Sequence, residues 1–235
     1  MVVSQPMYLP WPGLFEQVKR ADHFVHYDDV QLPQGRSFVS RVQLKTGDRI
    51  EWLSVPLVKS TRHLIKDVEI DSSKDWFATH RRKIGVALGK APHFAAVAQL
   101  LDEIGRRQFT KLADLNIFFI ELVAGYLGFR TVFSRSSSLS LTTKSSRRLL
   151  DICRHYGASS YLTGQGAKNY LDHRLFEEHG IAVDYMEYDI APYPQSGTFT
   201  PFVTILALLA AVERDQVASH LTSSTVPWRD YVQAD

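Results

Sequence analysis

Residues 4–13 read SQPMYLPWPG and place three prolines among four large apolar or aromatic side chains. Proline fixes its own φ and biases the preceding residue toward extended conformations, so this segment can be neither a regular helix nor a central strand. The pattern predicts a rigid loop. Its side chains Met7, Tyr8, Leu9 and Trp11 either cover the core or line a pocket, and loops held by a scaffold often carry function.

The segments on either side of this proline loop predict a parallel sheet. Residues 2–5 are short and β-like, residues 13–20 have apolar side chains at helical spacing, and residues 23–30 form a second β-like segment that ends in two carboxylates. A strand, a helix and a second strand in this order are typical of a parallel sheet, which binds ligands beyond the carboxyl ends of its strands. We therefore expect the proline loop and the pair Asp28 and Asp29 at one edge of the sheet, provided that the two strands are neighbours.

The middle of the chain interrupts this alternation. Three β-rich segments after the second strand predict antiparallel hairpins, and three amphipathic helices follow them. The β-rich segments are residues 38–44, 51–58 and 64–70, and the helices are residues 75–88, 94–107 and 110–127. We interpret residues 31–72 as a β-hairpin insertion and residues 73–128 as a mid-chain helical segment.

The alternation of strands and helices returns in the last hundred residues. The predicted elements are a strand at 131–133, a polar loop at 134–138, a helix at 145–156, a strand at 160–163, a helical stretch with breaks at 168–179, a strand at 181–188 and a buried helix in the apolar run 202–212. The predicted fold is α/β, with a mainly parallel Rossmann-like sheet flanked by helices. We expect a single domain that spans residues 1–235.

Composition narrows the class of protein. The chain has 235 residues, of which 45% are hydrophobic and 22% are charged, as expected for a globular protein. Its single cysteine excludes an intrachain disulfide, and no secretory leader pattern opens the chain, so we expect a cytoplasmic protein. The longest apolar run is shorter than the roughly 20 residues of a membrane span. A net charge of +2 gives little attraction to nucleic acid, and we expect no nucleic-acid partner.

The aspartate pair at the end of the second predicted strand is the first candidate for catalysis. Successive side chains of a strand point to opposite faces, so Asp28 and Asp29 serve one site only if the strand has ended between them. Tyr27, Asp29 and Gln31 share one face if the extended conformation continues. The alternative is that the aspartates only open the turn that follows.

Two arginines follow closely. A guanidinium opposite a carboxylate either forms a structural ion pair or binds an anionic substrate. Arg36 and Arg41 are both candidates, and Arg41 alternates with Val39 and Val42 in a β-like pattern. We leave both roles open for Arg41.

A glycine turn after the predicted strand 160–163 is a candidate anion site. Residues 164–170 read GQGAKNY, and free N–H groups where such a turn enters a helix attract phosphate or carboxylate. The dinucleotide fingerprint is incomplete, because Asn169 stands where it requires glycine, and no GxxxxGK[ST] motif occurs. The candidate residues here are Gly164, Gln165, Lys168 and Tyr170, and the alternative is a tight turn without a ligand.

Other catalytic signatures are missing from the sequence. Cys153 falls on the apolar stripe of a predicted helix and is interpreted as a packed thiol rather than a nucleophile. No HExxH or GxSxG motif occurs, so we expect neither a histidine-based metal site nor a serine hydrolase of the usual kind.

A second loop rich in proline and aromatic residues follows the strand 181–188. Residues 188–195 read YDIAPYPQ, which resembles the opening loop in composition. Tyrosines that stack on a flat ligand while a glutamine binds its polar edge would use Tyr193 and Gln195 well. The alternative is that both loops only cover the end of the sheet.

Several blocks of the sequence resemble the WbqC-like family of bacterial proteins. The N-terminal block is Gln5-Pro6-x-Tyr8-Leu9-Pro10-Trp11-x-Gly13, then Ala21-Asp22-x-Phe24-Val25-x-Tyr27-Asp28-Asp29-Val30-Gln31, then Arg41. The C-terminal blocks are Tyr161-Leu162-Thr163-Gly164-x-Gly166-Ala167-Lys168-x-Tyr170-Leu171, Gly180-Ile181-x-Val183 and Tyr193-x-Gln195. The resemblance spans nearly the whole chain. It departs from the family at residues 199–207, where Ala207 stands in place of an aspartate.

This resemblance implies a biosynthetic enzyme of O-antigen, polysaccharide or natural-product pathways. The strand, proline loop and helix also look distantly like the start of HxGH nucleotidyltransferases, but residues 11–14 (WPGL) lack both histidines of that tetrad. Nucleotide transfer by the usual route is therefore disfavoured, because nothing at those positions stabilises charge on pyrophosphate.

Our leading hypothesis is a transferase that moves an acyl or aminoacyl group from an activated donor to an amine of a sugar or small metabolite. Asp29, or else Asp28, would remove a proton from the amine, and Gln5 and Gln195 would orient polar groups. The pocket walls would be Tyr8, Trp11 and Tyr193, with Gln31, Arg41, Gly164, Gln165, Lys168 and Tyr170 as further substrate-binding residues. The expected partner is a small molecule, either carrier-linked or nucleotide-linked, and the sequence indicates no particular cofactor or oligomeric state.

Two other functions stay open at this point. One is a nucleotidyltransferase or nucleotide-sugar enzyme that holds phosphate at residues 164–166 and Mg²⁺ at Asp28 or Asp29. The other is a non-catalytic module that binds a glycan or a partner through the two aromatic loops.

Overall fold

The computed structural model describes residues 1–35, 37–58 and 63–233. Arg36, which the sequence suggested as an anion ligand, lies outside these residues. The strands of the described residues are β1 Val2–Ser4, β2 His23–His26, β3 Arg41–Thr46, β4 Arg49–Ser54, β5 Val132–Arg135, β6 Ser160–Thr163, β7 Ala182–Glu187 and β8 Ser224–Pro227. The α-helices there are α1 Pro12–Arg20, α2 Trp76–Leu88, α3 Phe94–Gly105, α4 Leu112–Leu127, α5 Ser145–His155, α6 His173–Glu177, α7 Ile205–Ala211 and α8 Trp228–Gln233.

A six-stranded sheet in the order β5-β2-β1-β6-β7-β8 forms the centre of the fold. All neighbouring pairs are parallel except β7 and β8, which are antiparallel. The chain builds outward from β1 through β2 to β5, and then crosses to β6 on the other side of β1. β1 is therefore the strand at which the order reverses. The predicted α/β fold with a mainly parallel sheet is confirmed, as is a separate antiparallel hairpin, which β3 and β4 form.

The sheet is covered on both faces, which explains its apolar strands. Adjacent side chains of β1 enter different clusters, since Val2 packs into the larger core with α1, α3 and α4, and Val3 packs into a smaller one with α5 and α6. This alternation follows from the two-residue period of a strand. Strands buried on both faces are typical of parallel sheets.

Side chains of α4 and α2 and the backbone of Phe38 hold the proline loop in place. Asn116 of α4 donates from Nδ2 to the carbonyl oxygens of Pro6 at 2.9 Å and Val39 at 2.8 Å. The Tyr8 N–H donates to the Phe38 carbonyl at 3.0 Å, and the Tyr8 hydroxyl hydrogen bonds to Nδ1 of His80 in α2 at 2.9 Å. Both alternatives for this loop are realised, because Tyr8 and Leu9 are buried in the core whereas Trp11 lies beside a cavity.

Helix α1 begins directly after this loop. Pro12 occupies its first turn, where a missing N–H costs nothing and the fixed φ suits a helix. Gly13 is required next to it, because a Cβ at this position would overlap the Trp11 ring. The Trp11 ring therefore packs closely against the helix at Gly13.

Several elements differ from the sequence-based expectation. β2 ends at His26 rather than at residue 30, because the Asp28 side chain turns to the loop after β5. Residues 64–70 form a 3₁₀ helix, Ile65–Asp67, with isolated bridges instead of a strand. The stretch 168–179 is divided into a 3₁₀ helix, Gln165–Asn169, and α6, whose N-terminus is capped by Asp172. β8 and α8 had no predicted counterpart.

No described helix is long and apolar enough to cross a membrane.

The buried Tyr8–His80 pair makes stability depend on pH. Burial lowers the pKa of His80 from 6.5 to about 4. Between these values the unfolded chain takes up a proton that the folded protein does not, so the free energy of unfolding falls as the pH falls from 6.5 toward 4, by roughly 3 kcal/mol in full. Above pH 6.5 the imidazole is neutral in both states.

We predict that His80→Gln flattens this dependence, because an amide hydrogen bonds to Tyr8 without titrating. Urea unfolding at several pH values between 6.5 and 4 measures it, with the exposed His63→Gln as the reference for the substitution itself. Equal pH dependence of the wild type and His80→Gln would contradict the assignment.

Candidate functional site

A cavity of about 950 Å³ lies beyond the carboxyl ends of β1, β2 and β6. This volume is at the upper end of small-ligand sites, which span about 300–1,000 Å³. Its lining comes from the β1 end and proline loop (Val3, Ser4, Gln5, Met7, Trp11), α1 (Leu14, Gln17), the segment after β2 (Tyr27, Val30, Phe38), α5 (Ser145, Leu149), β6 and the turn after it (Tyr161, Thr163, Gly164, Gln165, Gly166, Ala167, Tyr170), Tyr188 and Phe202.

The cavity occupies the position that strand order favours for a ligand. The loops after β1 and after β6 leave the sheet in opposite directions, which opens a crevice between them, and open α/β sheets bind ligands in such a crevice. Another depression, of about 730 Å³, lies between α3 and α4, away from these carboxyl ends.

Five residues that the sequence suggested from separate motifs line this one cavity. They are Gln5, Trp11, Gly164, Gln165 and Tyr170. The proline loop and the glycine turn therefore face each other across a shared space. The turn enters a 3₁₀ helix of five residues rather than a long α-helix, so little helix dipole is directed at the cavity.

The lining is aromatic and polar but uncharged. Among the described residues that line it there is no aspartate, glutamate, lysine, arginine or histidine. The polar groups are the hydroxyls of serine, threonine and tyrosine and the amides of three glutamines. Hydrogen bonds and stacking, rather than ion pairs, are the interactions that this surface offers a ligand.

Asp28 connects two strand ends instead of facing the cavity. Its side chain is fully buried and accepts hydrogen bonds from the Ser137 N–H at 3.0 Å and from Ser137 Oγ at 2.8 Å, with Ser136 Oγ 3.2 Å away. The end of β2 is thereby tied to the loop after β5. These contacts satisfy a carboxyl group that would be costly to bury unpaired.

Asp29 lies in the layer behind the cavity wall. It accepts a hydrogen bond from Ser136 Oγ at 2.6 Å and forms an ion pair with Arg148 of α5. Both side chains of this pair are nearly buried, with 13% of Asp29 and 8% of Arg148 exposed. Arg148 also donates to the Leu141 carbonyl at 2.5 Å. Asp29 does not contribute to the lining, but its partner lies close to a residue that does.

Tyr27 lines the cavity and interacts with Arg148. Burial raises the pKa of Tyr27 to about 12, and the charge of Arg148 and hydrogen bonding to it act in the opposite direction. The phenol is therefore protonated at neutral pH and can donate a hydrogen bond to a ligand in the cavity. Asp29, Arg148 and Tyr27 form a sequence of contacts that runs from the buried interior to the cavity.

Other predicted site residues lie elsewhere. The Tyr8 ring is buried against Trp76 and His80, and Gln31 forms an isolated bridge with Leu64. The Arg41 guanidinium lies 4.3 Å from the centre of the Trp52 ring. None of the three predicted residues contributes to the cavity lining described above.

The second aromatic loop contributes its first residue only. Tyr188 lines the cavity, whereas Tyr193 is buried against Phe199 with ring centres 5.3 Å apart. Gln195 donates from Nε2 to the Thr200 carbonyl at 2.9 Å and borders a separate crevice of about 280 Å³. Lys168 lies 5.4 Å from the centre of the Tyr231 ring.

Sequence reasoning missed Gln17, Arg148 and the serines at 136 and 137. Gln17 lies in a helical pattern that indicated only packing. Arg148 belongs to a basic pair, Arg147-Arg148, that indicated a solvated helix face or a contact with an anion or nucleic acid. The serines belong to a segment that indicated only a polar loop. A usable signal was the position of the serine run, which directly follows a predicted parallel strand and therefore lies at the same sheet edge as Asp28.

Comparisons with known proteins and protein families identify one family for this chain. No solved structure matches the chain significantly. A relative from Mycobacterium tuberculosis (strain ATCC 25618 / H37Rv), the uncharacterized protein Rv1507c, is 34% identical over 214 residues, which cover 89% of this chain and 92% of the relative. The model of the WbqC-like protein family matches residues 5–219. This chain is a member of the WbqC-like protein family.

Proposed function

We propose that this protein is a biosynthetic transferase that moves an acyl or aminoacyl group from an activated donor to an amine of a sugar or small metabolite. The observation that carries the proposal is the 950 Å³ cavity at the crossover of the sheet. A protonated Tyr27 lines this cavity, and Arg148 interacts with Tyr27 from the layer behind it. A hydrogen-bond donor in a largely apolar cavity is suited to a carbonyl oxygen that becomes negative during reaction.

The proposed reaction needs one positioned donor. The amine nitrogen attacks the carbonyl carbon of the donor thioester, a C–N bond forms, and the carbonyl oxygen takes up negative charge. Tyr27 donates its hydrogen bond to this oxygen. The C–S bond then breaks, and the released thiolate takes the proton that the amine loses, so no carboxylate has to enter the cavity.

Asp29 takes an indirect part in this scheme. Its carboxylate fixes the guanidinium of Arg148, and Arg148 favours negative charge on the Tyr27 oxygen. A phenol beside a fixed cation is a stronger hydrogen-bond donor than a phenol alone. Asp29 is therefore a positioning residue in the proposal, and the general-base role suggested by the sequence is replaced by the donor role of Tyr27.

A nucleotide-linked substrate is the second candidate. In doubly wound sheets dinucleotides bind where the strand order reverses, and in this protein the order reverses at β1. The glycines at 164 and 166 border the cavity at this point. The described lining offers no carboxylate to Mg²⁺. This favours a nucleotide that the cavity binds as part of the substrate over a phosphate group that is transferred there.

We predict that a donor thioester or a nucleotide-linked substrate stabilises the protein through this cavity. At a concentration of 100 times its Kd a ligand raises the free energy of unfolding by about 2.7 kcal/mol. A thermal-shift panel of coenzyme A thioesters, nucleotides, nucleotide sugars and amino acids, with and without Mg²⁺, identifies it.

Two glycine variants locate the binding. Gly166→Leu enlarges a residue that lines the cavity, and Gly85→Leu makes the same change on α2, away from it. An added Cβ contacts nothing within 4 Å at either position. The first variant should lose the ligand-induced shift and the second should keep it. A shift that survives Gly166→Leu would place the ligand elsewhere, and binding without turnover would favour a non-catalytic module.

We predict that Tyr27→Phe separates activity from stability. Loss of one oxyanion donor should reduce kcat by about 10²- to 10³-fold while the ring still packs. Asp29→Asn should reduce both activity and stability, the latter by about 3 kcal/mol, because it leaves the buried Arg148 without its counter-charge. Transfer rates with the identified donor and urea unfolding of both variants measure this. Unchanged kcat in Tyr27→Phe would contradict the proposed donor.

A further inference from the structure

Gln17 has a polar atom that the fold buries and leaves unpaired. α1 places this side chain at the cavity with 6% of it exposed. Nε2 donates to the Tyr188 hydroxyl at 2.5 Å, whereas Oε1 is buried and accepts no hydrogen bond from the described part of the chain. The unpaired atom is an acceptor in the amide orientation that directs Nε2 to Tyr188, whereas the opposite orientation would make it a donor. Buried polar atoms are nearly always paired, so a group that enters the cavity is the natural partner.

Tyr188 supplies a donor beside this acceptor. Its hydroxyl oxygen already accepts from Gln17, and its ring lines the same cavity. Burial raises the pKa of Tyr188, so the phenol keeps its proton at neutral pH. The two side chains together present an acceptor and a donor next to each other.

Gly164 keeps this pair accessible. A Cβ at this position would lie 3.1 Å from the Tyr188 hydroxyl oxygen and 3.3 Å from Gln17 Nε2. Any larger residue would press on the pair and fill the space in front of it. The glycine that suggested an anion site from sequence has a different role in this arrangement, since it leaves room for a ligand group.

An aromatic wall stands beside the pair. The Trp11 ring packs against Tyr188 with centres 4.8 Å apart and against Phe202 at 5.7 Å. Gly13 beneath the indole fixes its position, as described above. A flat group that reaches Gln17 and Tyr188 would therefore lie close to an aromatic surface, which favours planar ligands.

We propose that Gln17 and Tyr188 recognise a planar group that presents an N–H next to a C=O. The ligand N–H donates to Gln17 Oε1, and its carbonyl oxygen accepts from the Tyr188 hydroxyl. This inference rests on the proposed function, because it assigns a ligand class to the same cavity. This edge occurs in the imide of uracil, which a nucleotide-linked substrate carries. A trans secondary amide, such as those in the pantetheine arm of a thioester donor, points its N–H and C=O in opposite directions and does not present it.

The test measures dissociation constants of pantetheine, UDP and CDP by ligand-observed NMR titration. The proteins are the wild type, Gln17→Met, Tyr188→Phe and the control Gln99→Met, which makes the same change at an exposed position of α3. We expect UDP to bind the wild type more tightly than pantetheine or CDP, and both cavity variants to raise the Kd of UDP by about tenfold or more, the effect of one buried hydrogen bond. The control should not change it.

The three probes also test whether the site recognises an imide edge. Cytosine presents a bare acceptor nitrogen where uracil has an N–H, so the site should favour UDP over CDP. Pantetheine binding that depends on Gln17 and Tyr188 as strongly as UDP binding does would contradict recognition of this edge.

Two outcomes would overturn the inference. One is a wild type that does not bind UDP. The other is a probe that Gly166→Leu excludes but that binds Gln17→Met and Tyr188→Phe with unchanged Kd; the cavity would then be a ligand site, as the proposed function requires, without this recognition. Tyr188→Phe removes a single oxygen, so it gives the answer if Gln17→Met does not fold.

Discussion

The arrangement of this protein depends on what the chain does where β1 ends. Three prolines in residues 4–13 prevent further strand pairing or an immediate helix, so the chain must leave the sheet as a rigid loop. The loop needs partners for its buried carbonyls, and Asn116 supplies one from α4. Because β1 is also where the strand order reverses, the rigid loop and the turn after β6 diverge from adjacent strands and leave the cavity between them.

The charges near this cavity are arranged one layer behind its surface. Asp28 is satisfied by Ser137 and Asp29 by Ser136 and Arg148, so the carboxyl groups that follow β2 are neither exposed nor unpaired. The cavity itself is lined by neutral groups, and among them Tyr27 interacts with Arg148 of the charged layer. This separation allows buried charges to orient a donor without the cost of desolvating a carboxylate against a ligand.

Local patterns predicted the fold well because they depend on neighbouring residues. The proline loop and the alternation of strands and helices indicated a parallel sheet, and sheet geometry then brought Trp11 and Gly164 to one edge. The contacts of Asp29 could not be predicted in this way, since Ser136 and Arg148 are 107 and 119 residues away and are placed by the packing of β5 and α5. The same limit applies to Gln17, whose partner Tyr188 is 171 residues away. β8 has few apolar residues, and its strand conformation depends on its pairing with β7.

The central claim is that the ligand binds at the crossover of the sheet, and tryptophan provides the most direct measurement. Of the four tryptophans, Trp11 lines the cavity, whereas Trp52, Trp76 and Trp228 do not. Fluorine NMR of protein labelled with 5-fluorotryptophan, with the resonance of Trp11 assigned from Trp11→Phe, reports on each site separately. The account predicts that the ligand found by thermal shift moves the Trp11 resonance most. A ligand that moves only the resonances of the other three tryptophans would contradict it.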